Sequence, residues 1–82
     1  MTTLSHRQRR KQFLQDTILQ QSVKGNYYAD TESARIVIFP DRHCDGRWQF
    51  MLIRGEQRPQ FFGKSYPSIR KALAAGYDAC KS

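Results

Sequence analysis

Arg47-Trp48-Gln49-Phe50-Met51-Leu52-Ile53-Arg54 is the stretch on which the fold turns. Trp48, Phe50 and Leu52 alternate with Arg47, Gln49, Met51 and Ile53, the period of a β-strand with one face turned to a core. Turn formers bound it on both sides. Segments 40–46 and 55–59 have the composition and length of hairpin connections with longer loops. Upstream, residues 34–39 form a β-branched run closed by Pro40; downstream, residues 60–64 are short and aromatic. Both are expected to pair with 47–54. Before them, Tyr27 and Tyr28 begin extended structure, and residues 30–33 read as a turn.

Helices are expected on either side of these strands. Residues 68–80 carry Ile69, Ala72, Leu73, Gly76 and Cys80 at i, i+3, i+4, i+7 and i+11, one face of a helix. Ser65 or Ser68 supplies its cap, and Pro67 suits its first turn. Ala72 and Gly76 are small enough to let it lie close on a sheet, burying Ile69, Leu73 and Gly76. Ser5 is the expected cap of a helix over 6–22, which no Gly or Pro interrupts before Gly25. Its apolar residues, Phe13, Leu14, Ile18 and Leu19, fall in its second half, so the first half reads as a solvated basic helix or arm. The expected fold class is α+β: a small three-stranded antiparallel sheet packed on a C-terminal helix, with an additional basic N-terminal helix. Trp48, Phe50, Leu52, Ile69 and Leu73 form the expected core. Residues 1–25 are the helix or arm, and residues 26–82 the ββ(β)α domain.

Eighty-two residues make one domain with a small core. Fourteen Lys and Arg against seven Asp and Glu give a net charge of +7, a balance that attracts polyanions. It is also an ordinary charge for solubility. No apolar run approaches the ~20 residues needed to span a bilayer, and the polar, basic start has no apolar signal-peptide region. With only Cys44 and Cys80, these features predict a cytoplasmic protein with free thiols and no membrane association.

The chemistry-bearing residues point to binding and away from catalysis. His6, His43, Cys44 and Cys80 include no Cys-x₂₋₄-Cys or His-x₃₋₅-His pair, so no metal site is expected. His43-Cys44-Asp45 are consecutive, and side chains of consecutive residues rarely converge as a nucleophile, base and orienter must. Asp41 and Asp45 read as turn residues that bond their own backbone. No phosphate-binding glycine loop is present. The expectation is therefore no enzyme, no cofactor and no metal. What remains is the Arg7-Arg9-Arg10-Lys11 cluster, suited to phosphate contacts but equally readable as a solvated helix end. There is also the sheet face opposite Trp48, Phe50 and Leu52. On that face Arg47, Gln49, Met51 and Ile53, with Arg35 and Val37 beside them, are either covered by the N-terminal helix or form a binding surface.

Gly46-Arg47-Trp48, Phe61-Phe62-Gly63, Tyr66-Pro67-Ser68 and an alanine-rich helix ending Gly76-Tyr77-Asp78 resemble the ethylene-response-factor type of DNA-binding domain. That family reads Gly-Lys-Trp, then Trp-Leu-Gly-Thr-Phe, then a helix with Ala-Tyr-Asp. The arm-binding domains of phage and transposon integrases share its architecture. The resemblance spans residues 34–79. It implies a three-stranded sheet that enters the DNA major groove with a helix behind it. Arg35 and Arg47 match basic positions of that sheet, and Phe61 an aromatic one. Met51 and Ile53 stand where the family carries charged groups, and Ile38 where it carries a base-contacting arginine. The expected nucleic-acid-binding residues are Arg7, Arg9, Arg10, Lys11, Arg35, Arg47, Gln49 and Lys64, with DNA favoured over RNA. The alternative is a protein-interaction module, a regulator or inhibitor, that uses the partly apolar face at Met51 and Ile53.

Overall fold

The computed structural model describes residues 4–80. Two helices and five strands follow in the order α1 (His6–Asp16), β1 (Gln20–Gln21), β2 (Tyr27–Asp30), β3 (Arg35–Pro40), β4 (Trp48–Ile53), β5 (Gln60–Phe61) and α2 (Ile69–Cys80). The fold is α+β. Its single sheet is an antiparallel meander in chain order, β1-β2-β3-β4-β5. The expected three strands are thus its centre and one edge, and two hairpins extend it to five.

Register puts alternate residues on opposite faces. Ile36 pairs with Leu52 and Ile38 with Phe50, all facing the helix layer; Val37 pairs with Met51 and Arg35 with Ile53, facing away. Ile36, Ile38 and Leu52 are fully buried, at 0% exposure. With Ala29, Phe50, Ala72, Leu73, Tyr77 and Cys80 they make one core between sheet and helices. The expected core holds at Phe50, Leu52 and Leu73. Trp48 and Ile69 pack at its margin, partly exposed. Cys80 is buried and Cys44 exposed, and they are not bonded to one another.

The α2 helix starts where Ser68 Oγ accepts from the Lys71 N–H, so Ser68 caps it and Pro67 lies just outside. Ala72 and Gly76 let it approach closely. A Cβ added to Gly76 would lie 2.7 Å from Cγ2 of the fully buried Ile36. In an exposed helix Gly→Ala gains about 1 kcal/mol, whereas forcing a methyl into a filled core costs about 1–3 kcal/mol. Ile36 has nowhere to retreat, so packing wins. Gly76→Ala is expected to destabilise by about 1–2 kcal/mol in urea unfolding; a stabilised variant would refute the close contact.

Three sequence expectations are corrected. The first helix ends at Asp16, not near residue 22. Its start is as expected, with a capping box in which Ser5 Oγ accepts from the Gln8 N–H and the Gln8 side chain accepts from the Ser5 N–H. Thr17 then turns extended (φ −80°, ψ 126°), and Gln20–Gln21 pair with Tyr27–Tyr28 around a turn whose Gly25 has φ 89°. Pairing satisfies the open edge of β2, which a continued helix would leave bare.

The last strand is shorter than the expected 60–64. Gly63 adopts φ 71°, a left-handed conformation that breaks the ladder. Phe62 turns inward onto Phe50, their rings 4.8 Å apart, and the chain rejoins the edge of β4 at the Trp48–Tyr66 bridge.

The start of α1, expected as a solvated basic helix or arm, is a helix docked on α2. Its His6 and Arg10 side chains both meet the Asp78 carboxylate of α2, at 2.6 and 2.7 Å. Phe13 stacks on Tyr77 at 4.7 Å and His6 at 5.6 Å. The two helices therefore share one layer, and α1 makes its inter-element contacts with α2.

Candidate nucleic-acid interface

With both helices on one side, the other side of the sheet is open. It presents Tyr28 from β2, Arg35 and Phe39 from β3, Gln49, Met51 and Ile53 from β4, and Phe61 from β5, around Val37, which lies on this side but is buried by its neighbours. Phe61 is 63% exposed and meets Phe39 edge-on, with 6.2 Å between ring centres and 75° between planes. An exposed phenylalanine beside a second ring and a methionine is unusual on an idle surface. Of the two sequence alternatives for this face, covering by α1 does not occur. Ile18, expected among the apolar residues of the first helix, is 86% exposed.

The basic residues fall into separate groups. Arg7 and Lys11 are exposed, four residues apart on α1. Arg9 lines an open cleft of about 720 Å³ between α1 and the β2–β3 turn, with Asp30 and Glu32 across from it. Arg10 is committed to Asp78. This cluster lies in the helix layer, so the structure does not bring it together with the open face.

On the sheet, Arg35 is held in a two-point contact by Asp30, Nε to Oδ1 at 2.6 Å and Nη2 to Oδ2 at 3.2 Å. Its guanidinium also lies 4.7 Å from the centre of the Tyr28 ring. Arg47 donates to Ser65, from Nε to Oγ at 2.8 Å and from Nη2 to the carbonyl at 2.9 Å, and so anchors the link before α2. Gln49 is partly exposed. Lys64 is exposed. Ile38 faces the core, not the open face.

Residues the sequence did not single out complete the surface. Register places the start of β2, the end of β3 and the start of β4 at one end of the sheet. Lys24, Asn26 and Arg42 therefore gather there with Lys64, and Lys24, Arg42 and Lys64 are exposed. Their sequence signal was faint, because they lie in separate loops and only strand pairing unites them.

Two of the nearby carboxylates, Asp41 and Asp30, are engaged within the chain. Asp41 is held below the ordinary carboxylate range, chiefly by the His43 N–H, which donates to it at 2.8 Å. Asp30 is lowered by its hydrogen bond from Arg35, whose own value rises in step. A carboxyl with a folded pKa below its unfolded value of about 3.9 contributes stability that is complete above that pH and lost as pH falls through the folded value. Solvent screens the Asp30–Arg35 pair, so its effect is small. Asp30→Asn is expected to flatten the fall of stability with acid below about pH 4, followed by thermal unfolding between neutral and acid pH. An unchanged acid slope would show that the pair contributes nothing.

Among the described residues, no three His, Cys, Asp or Glu side chains group as metal ligands. No helix among them is long and apolar enough to cross a membrane. Compared with known protein families, characterised proteins and solved structures, the chain matches none.

Proposed function

We propose that this chain is a non-enzymatic nucleic-acid-binding protein whose contact surface is the open sheet face together with the basic end of the sheet. The observation that carries this is the uncovered face bearing Tyr28, Phe39, Met51 and Phe61 on a chain of net charge +7. Rings on an open sheet offer flat apolar area to bases, and surplus positive charge draws in phosphates. Lys24, Arg42 and Lys64 are the nearest phosphate contacts to that face. Arg7 and Lys11, in the other layer, add long-range attraction and reach only a strand that wraps around the molecule. The resemblance to sheet-type DNA-binding domains favours DNA over RNA, with the helix behind the sheet as support.

A second class of partner, a protein, is favoured by one observation. Arg35 and Arg47, the groups best suited to reading base edges, are bonded within the chain, which leaves Met51 and Ile53 at the centre of the face. Salt separates the two. Polyanion binding weakens steeply with salt, and apolar docking does not.

The test is a titration of labelled oligonucleotides at low salt, followed by anisotropy. Binding at micromolar protein is expected, since even non-specific basic binders reach a Kd of about 10⁻⁴–10⁻⁶ M at physiological salt and bind more tightly below it. No binding to any oligonucleotide under those conditions would overturn the proposal.

A further inference from the structure

The open face is not uniform. Where Phe39 and Phe61 meet, it sinks into a hollow of about 480 Å³ lined by Asn26, Phe39, Pro40, Arg42, Met51 and Phe61. A second hollow of about 470 Å³ adjoins it, bounded by Tyr28, Arg35, Val37 and Ile53, and Asn26 borders both. Both fall within the roughly 300–1,000 Å³ of small-ligand sites.

We infer that these hollows hold two successive unpaired bases, so that the ligand is single-stranded nucleic acid and not duplex. The inference rests on the nucleic-acid reading above and names the form of nucleic acid that this face takes. Four features carry it. The Phe61 ring is mostly exposed and is braced edge-on by Phe39, leaving a flat face for a base to stack on. Asn26 stands between the hollows with an amide that both donates and accepts, as the edge of a base does. Arg42, exposed at the rim, is placed to meet the phosphate of a base seated against Phe61. In the second hollow the Arg35 guanidinium, held by Asp30 at 4.7 Å from the centre of the Tyr28 ring, supplies a second planar group beside which a base can lie.

Duplex fits this surface poorly. Its bases already stack on each other, so the rings find no partner, and the partly exposed apolar groups Met51 and Ile53 would face sugars and phosphates. The groups that could read a groove edge, Arg35 and Arg47, are occupied. Stacking also asks for no particular sequence, because every base has a flat face.

The experiment compares an oligothymidylate of roughly 16 nucleotides with a mixed-sequence duplex of equal length, at low salt, for the wild type and two variants. The wild type is expected to bind the single strand at least about tenfold more tightly than the duplex. Phe61→Leu keeps an apolar side chain at an exposed position but removes the ring. It is expected to weaken single-strand binding by roughly five- to a hundredfold, the range found for loss of one stacking residue. Phe61→Tyr keeps the ring and is expected to bind as the wild type does. Equal or tighter binding of duplex, or a Phe61→Leu variant that binds the single strand normally, overturns this inference while leaving the nucleic-acid proposal standing. Failure to bind either form overturns both.

Discussion

Leu73→Ala is expected to lower the free energy of unfolding by about 2–5 kcal/mol. Leu73 is 3% exposed and sits on the face of α2 that packs on β3 and β4, in one cluster with Ile36, Ile38, Phe50 and Leu52. Removing it loses the transfer energy of three carbons and leaves a cavity. Collapse cannot fill that cavity, because Ala72 and Gly76 already hold the helix against Ile36 with no slack. A domain of this length is stable by about 4–12 kcal/mol, so the loss is a large part of the whole. Urea unfolding should show the midpoint falling with the slope unchanged. Lys71→Ala, exposed on the other side of the same helix, is the control and should stay within about 0.5 kcal/mol. A loss below about 1 kcal/mol at Leu73 would mean that α2 does not pack on the sheet through this residue.

The second large effect is that of salt on nucleic-acid affinity. For single strands, log affinity falls against log salt with a slope near −0.7 for each phosphate neutralised. A strand lying across the open face and touching Lys24, Arg42 and Lys64 has a slope of about −2, so quadrupling the salt weakens it roughly 20-fold. Arg42→Ala and Lys64→Ala should each flatten the slope by about 0.7, because both residues lie at the basic end of the sheet. Arg7→Ala with Lys11→Ala should change it little for a short strand, because α1 lies in the other layer. A slope shallower than about −1 would mean that fewer than two phosphates are touched, and would favour apolar docking of a protein partner. Equal flattening by the Arg7 and Lys11 substitutions would place the binding path on the helix layer.

Much of the fold was legible because its signals are local. The alternation in 47–54 and the helical stripe in 69–80 each need only a few residues to declare themselves, and both elements formed within a residue or two of expectation. The ends of elements were less legible. The first helix stops at Asp16 because residues 20–21 find partners in 27–28, and a pairing of that kind leaves no mark in the residues that precede it. The last strand stops at Phe61 because Gly63 turns left-handed, although a glycine in that position is equally compatible with a continuing strand. For the candidate site, the outward face of residues 47–54 followed from the alternation. Its hollow did not, since Asn26, Phe39, Arg42 and Phe61 come from four different segments.

Composition and period by themselves determined the class of fold, the core residues Phe50, Leu52 and Leu73, the cap at Ser5 and the net positive charge. Each follows from the chemistry of residues near one another in the chain. Only the tertiary structure decided which side of the sheet stays open and which cations remain available. The N-terminal helix was expected either to cover the outer face or to leave it open. It joined α2 because Asp78 and Tyr77 offer a carboxylate and a ring to His6, Arg10 and Phe13, partners more than sixty residues away in the chain. That one docking leaves Phe61 and its neighbours exposed on the far side, and it turns Arg10 from a phosphate contact into a strut between helices.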